Sequence, residues 1–208
     1  MSTTAPADAR EALDMVRAGL GYLAAADAAQ LPSATQAECL RELERDAAGL
    51  TAARAWILAS FTAGQGYADD ADYSAVSWLI HRTGITRGAA VGHTARARRT
   101  GTHPRVVAAL AAGQVSEPVG RLICLWTGKL PEQYRDDADE VLIAAATAGL
   151  SLEELAALFG QMYERARGDL PDQDPDWDFE DRALKLATTF GGAGVVHGDL
   201  TPECARAG

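Results

Sequence analysis

Apolar residues recur along this chain at steps of three and four, a pattern that predicts helices almost throughout. Leu13, Val16, Leu20 and Leu23 line one face of a first helix over residues 9–29, and Pro32 stops it. A longer helix follows over residues 35–63. Within it Leu40, Leu43, Ala47, Leu50, Arg54, Ile57 and Phe61 alternate steps of three and four, giving a heptad-like seam. Such a seam needs a partner, and the first helix is the expected one. Leu43, Leu50 and Ile57 should then be buried between the two. Arg54 is the one charged residue at a core position of this seam, where burial would require a carboxylate or carbonyl partner and would fix the helix register.

Punctuation divides the rest. Gly64-Gln65-Gly66 ends the long hairpin, and Asp69, Asp70 and Asp72 form an acidic loop or first turn. Residues 74–83 form a short helix broken at Gly84, and Thr86 caps the next through Arg99. Pro104 opens a segment that Gly113 closes, Ser116 precedes a helix to about Thr127, and Pro131 starts one that reaches Ala148. Ser151-Leu152-Glu153-Glu154 has the form of a capping box ahead of a helix to about Arg167. That makes roughly eight helices.

Beyond them, aspartates interleaved with Pro171 and Pro175 mark an acidic linker over residues 169–181. Residues 183–190 and 194–200 flank a glycine turn as two short strands would. Thr201-Pro202-Glu203 then looks like the start of a helix that the chain cuts short. The expected fold is mainly α: a multi-helix bundle with a long N-terminal helical hairpin and a small C-terminal β-hairpin. Residues 1–168 form its helical domain, and residues 182–208 carry the hairpin and the truncated helix as part of the same domain.

Composition agrees with helices. Of 208 residues, 48 % are hydrophobic and only 6 % aromatic, and much of the apolar content is alanine. Seventeen arginines stand against two lysines, Lys129 and Lys185, with no asparagine, which matches a GC-rich coding sequence in which arginine is the default cation. Cys39, Cys124 and Cys204 are odd in number and widely spaced, so neither a disulfide framework nor a zinc site is indicated. Asp8, Glu11 and Asp14 occupy the N-terminus where a signal peptide would be basic, and no apolar run reaches membrane-spanning length. A cytoplasmic protein with no membrane partner is expected.

Charge changes the picture most. Residues 73–116 hold six arginines (Arg82, Arg87, Arg96, Arg98, Arg99 and Arg105) and no Asp or Glu, in a chain whose net charge is −10. Segregation of this kind marks a candidate surface for an anionic partner. Two short helices joined around Gly84 also have the form of a helix-turn-helix, whose second helix enters a major groove. On that second helix Ala90, Thr94 and Ala97, with His93, share a small-residue face, while Arg87, Arg96, Arg98 and Arg99 spread over the opposite arc. These arginines would face phosphate or, in the competing reading, only solvent.

Other motifs point nowhere. Asp172, Asp174 and Asp176 alternate like an EF-hand start, yet Trp177 and Ala183 stand where glycine and glutamate are required. Gly191-Gly192-Ala193-Gly194 lacks the Lys-Ser/Thr and following helix of a phosphate loop. His81, His93, His103 and His197 do not pair at ligand spacing. No catalytic group, metal site or cofactor is expected.

The succession Ser74-Ala75-Val76-Ser77-Trp78-Leu79, Gly84-Ile85-Thr86, His103-Pro104 and Ala109-Leu110-Ala111-Ala112-Gly113-Gln114-Val115-Ser116 resembles the domain of unknown function 222 family. So do Arg182-Ala183-Leu184-Lys185-Leu186 and His197-Gly198-Asp199-Leu200-Thr201-Pro202-Glu203, and the resemblance covers nearly all of residues 35–208. It implies an actinobacterial protein of the 13E12 repeat type, in which this domain precedes an HNH endonuclease domain. The chain departs from the usual pattern at His103, where leucine is usual, and at its glycine turn. An HNH motif cannot be assembled from its residues. The resemblance therefore implies a non-catalytic DNA-recognition or scaffolding module, with DNA and a downstream HNH nuclease domain as partners. The alternative is a protein–protein interaction module with no nucleic-acid role.

Overall fold

A computed structural model describes residues 6–166, together with the backbone of residues 184–188 and 194–198. The acidic linker, the glycine turn, the helix start at Thr201 and Cys204 lie outside the described residues. Eight α-helices occur among those described: α1 (Ala9–Ala25), α2 (Ser33–Ala63), α3 (Ala75–Thr83), α4 (Arg87–Thr102), α5 (Pro104–Ala111), α6 (Glu117–Thr127), α7 (Glu132–Thr147) and α8 (Leu152–Ala166). Two strands, β1 (Leu184–Thr188) and β2 (Gly194–Gly198), pair antiparallel with Leu186 opposite Val196. No described helix is long and apolar enough to cross a membrane.

Helix ends follow local chemistry. The Asp8 carboxylate accepts from the amides of Arg10 and Glu11 at the start of α1. Ser74 caps α3 through the Ser77 amide, and Thr86 caps α4 through the Ala89 amide. Gly84 ends α3 at φ 69°, the left-handed region that glycine enters without steric cost. At α8 the Ser151 amide donates to Glu154 Oε2 at 2.8 Å while Ser151 Oγ receives the Glu154 amide at 3.3 Å, a reciprocal capping box. The first helix stops at Ala25, short of residue 29, because Asp27 redirects the chain into a 3₁₀ turn over Ala28–Gln30.

The chain divides into two units, Met1–Gly120 and Arg121–Gly208. In the first, α2 is the central element and packs against α3, α4 and α5. Its buried residues are Ala48, Ala52, Ala55 and Leu58. Small side chains on this face let neighbouring helices approach closely. A β-carbon built on Gly49 would stand 3.9 Å from the Ala111 carbonyl oxygen of α5. Leu58 joins Ala75, Leu79, Ala90 and Ala97 in a core that Phe61, Tyr67 and Trp78 flank. The Phe61 and Trp78 ring centroids are 4.7 Å apart.

The expected seam between the first two helices is overturned. Leu40, Leu50 and Ile57 are 66 %, 47 % and 70 % exposed, whereas Ala48 and Ala52 are 0 % and 1 % exposed. The packed face of α2 is therefore out of phase with the leucine stripe. The α1 helix buries none of its residues. Arg54 is likewise exposed, so it is not the buried charge that the seam implied.

In the second unit α7 packs against α8. Leu130, Ala138 and Ala166 form a buried cluster with Tyr134, Phe159, Met162 and Tyr163 around it. Trp126 stacks on Phe159 at a centroid distance of 5.9 Å. Thr127 and Asp139 are both buried in this unit, with Thr127 Oγ1 2.6 Å from Asp139 Oδ1.

Candidate functional site

The basic window folds into α3, a three-residue turn and α4, followed by α5. Ala90, Thr94 and Ala97 are buried as the inner face of α4, with His93 half-buried beside them. Thr94 donates its hydroxyl back into its own helix, so that face contains no unsatisfied polar group.

Folding neutralises part of the window with carboxylates that lie just outside it in sequence. Arg82 forms an ion pair with Asp70 at 3.0 Å and also donates to the Asp70 carbonyl. Arg96 directs both Nε and Nη2 to Glu117 Oε1, at 2.9 and 2.7 Å. Arg105 is also engaged. Arg87, Arg98 and Arg99 form no ion pair with a described residue. Arg87 and Arg98 are exposed and Arg99 is half-buried. Eleven residues apart on an α-helix, Arg87 and Arg98 fall on nearly the same azimuth, about 20° apart. Seven and four residues from the buried Thr94, they fall about 20° and 40° from it, so they flank the packed face of α4 instead of lying on the opposite arc, and Arg99 stands about 100° beyond Arg98.

The acidic loop before α3 is structured around these pairs. Asp72 accepts from Ser77 Oγ at 2.9 Å and lies 2.8 Å from Nδ1 of His81. Trp78 Nε1 donates to Asp70 Oδ2 at 2.7 Å. Between the two aspartates Ala71 is held at φ 59°, a left-handed conformation unfavourable for a residue with a β-carbon. Burial acts to raise the Asp72 pKa, but hydrogen bonds from His81 and Ser77 and the charges of His81 and Arg82 outweigh it, and the net shift is downward. An open recess of about 300 Å³ is lined by Asp70, Ala71, Asp72, Tyr73, His81 and Arg82. Its charges are paired with one another. The Asp72–His81 contact was not expected from spacing, since it joins residues nine apart. The signal was the acidic run itself, followed by a helix whose basic residues lie in its last turn.

His93 shows where α2 and α4 meet. Burial lowers its pKa, and the positive charges of Arg54 and Arg96 lower it further. His103 is buried in the core, at the junction of α4 and α5. Among the described residues no group of three or more His, Cys, Asp or Glu side chains is placed to hold a metal ion.

A second surface consists of exposed apolar residues. On α1 these include Leu13, Val16, Leu20 and Leu23, and on α2 they are Leu40, Leu50, Trp56 and Ile57. On α1 these side chains recur at steps of three and four, and on α2 Leu50 and Ile57 stand seven apart, the spacing of a single helix face.

A family model described as a domain of unknown function (DUF222) matches residues 37–207. No curated protein and no solved structure matches the chain.

Proposed function

For a chain that belongs to the domain-of-unknown-function (DUF222) family, we propose a non-catalytic recognition role in which Arg87, Arg98 and Arg99 of α4 contact DNA phosphates. The observation that carries this reading is that Arg87, Arg98 and Arg99 of α4 form no ion pair with a described residue, with Arg87 and Arg98 exposed close together at the edge of the packed face. The net charge of −10 does not preclude such contact. Exposed charges beyond about 10 Å are largely screened at 0.1 M salt, so acidic residues elsewhere act weakly on a local patch. Catalysis, in this reading, belongs to an HNH nuclease domain of the kind the family resemblance implies.

Retardation of a DNA duplex in a gel, measured over a range of salt, tests it. Affinity should fall steeply with salt, and Arg87→Ala with Arg98→Ala should lower that dependence by about one unit of slope per lost contact. No retardation at low salt refutes the reading. Arg96 is a poor choice for this experiment because its removal strands Glu117.

A protein-interaction role is the second reading, favoured by the exposed apolar stripes of α1 and α2. Salt separates the two, since apolar docking survives conditions that abolish phosphate contact.

A further inference from the structure

We propose that the exposed seam of α2 is a self-association surface on which a second copy of this chain docks antiparallel. The inference rests on the protein-interaction reading and is independent of DNA contact. Leu40, Ala47, Leu50, Arg54 and Ile57 are exposed and Leu43 is half-buried, at the a and d spacing that two paired helices require. Nothing else in the described first unit buries this stripe, because the packing of α2 on α3, α4 and α5 uses the alanine face.

Self-complementarity identifies the occupant. When two α2 helices run antiparallel about a two-fold axis between Ala48 and Gly49, Leu40 faces Ile57 of the second copy. Leu43 then faces its Arg54, and Ala47 faces its Leu50. Every a position meets a d position, as an isologous contact demands. Large side chains at Leu50 fill the space that the small Ala47 leaves.

Charge sets the direction. Over residues 38–46 the helix carries Glu38, Glu42, Glu44 and Asp46 against Arg41 and Arg45, and from there to Ala63 its only charge is Arg54. Arg45 is already paired with Glu42 in its own chain, while Glu44 and Asp46 have no ion pair with a described residue. Helical side chains lean toward their own N-terminus, which brings the Arg54 guanidinium back to the level of Leu50. Across an antiparallel pair that level is occupied by Asp46 and Ala47 of the second copy. A parallel pair would instead set Arg54 against Arg54 and one acidic segment against the other. Within its own chain Arg54 forms no ion pair with a described residue, so a carboxylate from a second copy would compensate its charge.

Sedimentation equilibrium of the full chain, from about 1 to about 200 µM, tests the pairing. A concentration-dependent dimer is expected. Ile57→Glu should leave a monomer with unchanged helical circular dichroism, since Ile57 is not part of the folded core. Arg54→Asp should weaken the dimer about tenfold or more, and adding Asp46→Arg to it should restore most of the loss. Orientation is read from a nitroxide on Cys39 in a Cys204→Ser chain. Antiparallel pairing puts the two labels 19 residues apart along the axis, about 30 Å, whereas parallel pairing brings them adjacent. A chain that stays monomeric throughout, a charge swap without rescue, or a short label distance each overturns the proposal. Gel retardation of DNA is unaffected by the first of these outcomes, so failure here is distinguishable from failure of the DNA reading.

Discussion

Ala52 and Ala53 are neighbours of identical composition on α2, and the fold assigns them opposite tolerance to a larger side chain. Ala52 is 1 % exposed on the face that packs into the first unit, whereas Ala53 is exposed. The leucine seam would reverse the order, because residue 52 is farthest from it and residue 53 lies at its edge. Replacing each in turn by leucine adds three carbons at nearly constant helix propensity, so packing alone decides the outcome. At Ala52 the neighbouring helices are already close, as the 3.9 Å approach of a Gly49 β-carbon to Ala111 shows one turn away. Forced into such a site, the extra carbons should cost about 1–3 kcal/mol. For a chain of this size that corresponds to a fall of roughly 2–12 °C in the thermal midpoint. Ala53→Leu should stay within about 0.5 kcal/mol of the parent. The assay is urea and thermal unfolding followed by helical circular dichroism, at a concentration low enough to exclude association. An unchanged midpoint for Ala52→Leu, with a loss for Ala53→Leu, would refute the phase of α2 described here.

Two further predictions concern buried polar groups and pH. Thr127→Val removes the hydroxyl contact to Asp139 in the second unit and should cost about 1–3 kcal/mol in urea unfolding, while Thr127→Ser should retain most of it. The depressed Asp72 pKa stabilises the fold above the ordinary carboxylate range, and that contribution is lost as pH falls through the folded value, below about pH 4. The depressed His93 pKa means that the unfolded chain takes up the proton first, so stability also declines as pH falls below about 6.5. Asp72→Asn should flatten the lower limb of a stability–pH profile, and His93→Gln the upper one; a profile unchanged by both substitutions contradicts the assigned contacts.

What could be read from the sequence was local. Caps at Thr86 and Ser151 and the stop at Gly84 depend on residues within one turn of each other, and all were legible. The phase of α2 was not. Two apolar stripes run along that helix one position apart, one of leucine and isoleucine, the other mostly of alanine. Hydrophobicity ranks the first as core, yet close helix packing selects the second, because small side chains allow backbones to approach. How much free charge the basic window keeps was also not legible. A stretch without carboxylates is partly neutralised in space if its flanks fold back, as Asp70 and Glu117 do on Arg82 and Arg96.

An inner face of alanine and an outer face of leucine and isoleucine on one helix is an inverted amphipathic arrangement. Exposure of Leu40, Leu50 and Ile57 forgoes about 1.5–3 kcal/mol for each side chain that full burial would supply. Antiparallel association of α2 recovers part of that, and its symmetry constrains the DNA reading in turn. A two-fold pair of chains carries two copies of the α3–turn–α4 unit, related by the same axis. DNA bound by both copies would therefore be contacted at two sites with two-fold symmetry, and their separation would be fixed by the dimer rather than by either unit. The monomeric Ile57→Glu chain would keep the phosphate contacts of a single α4 and lose this spacing.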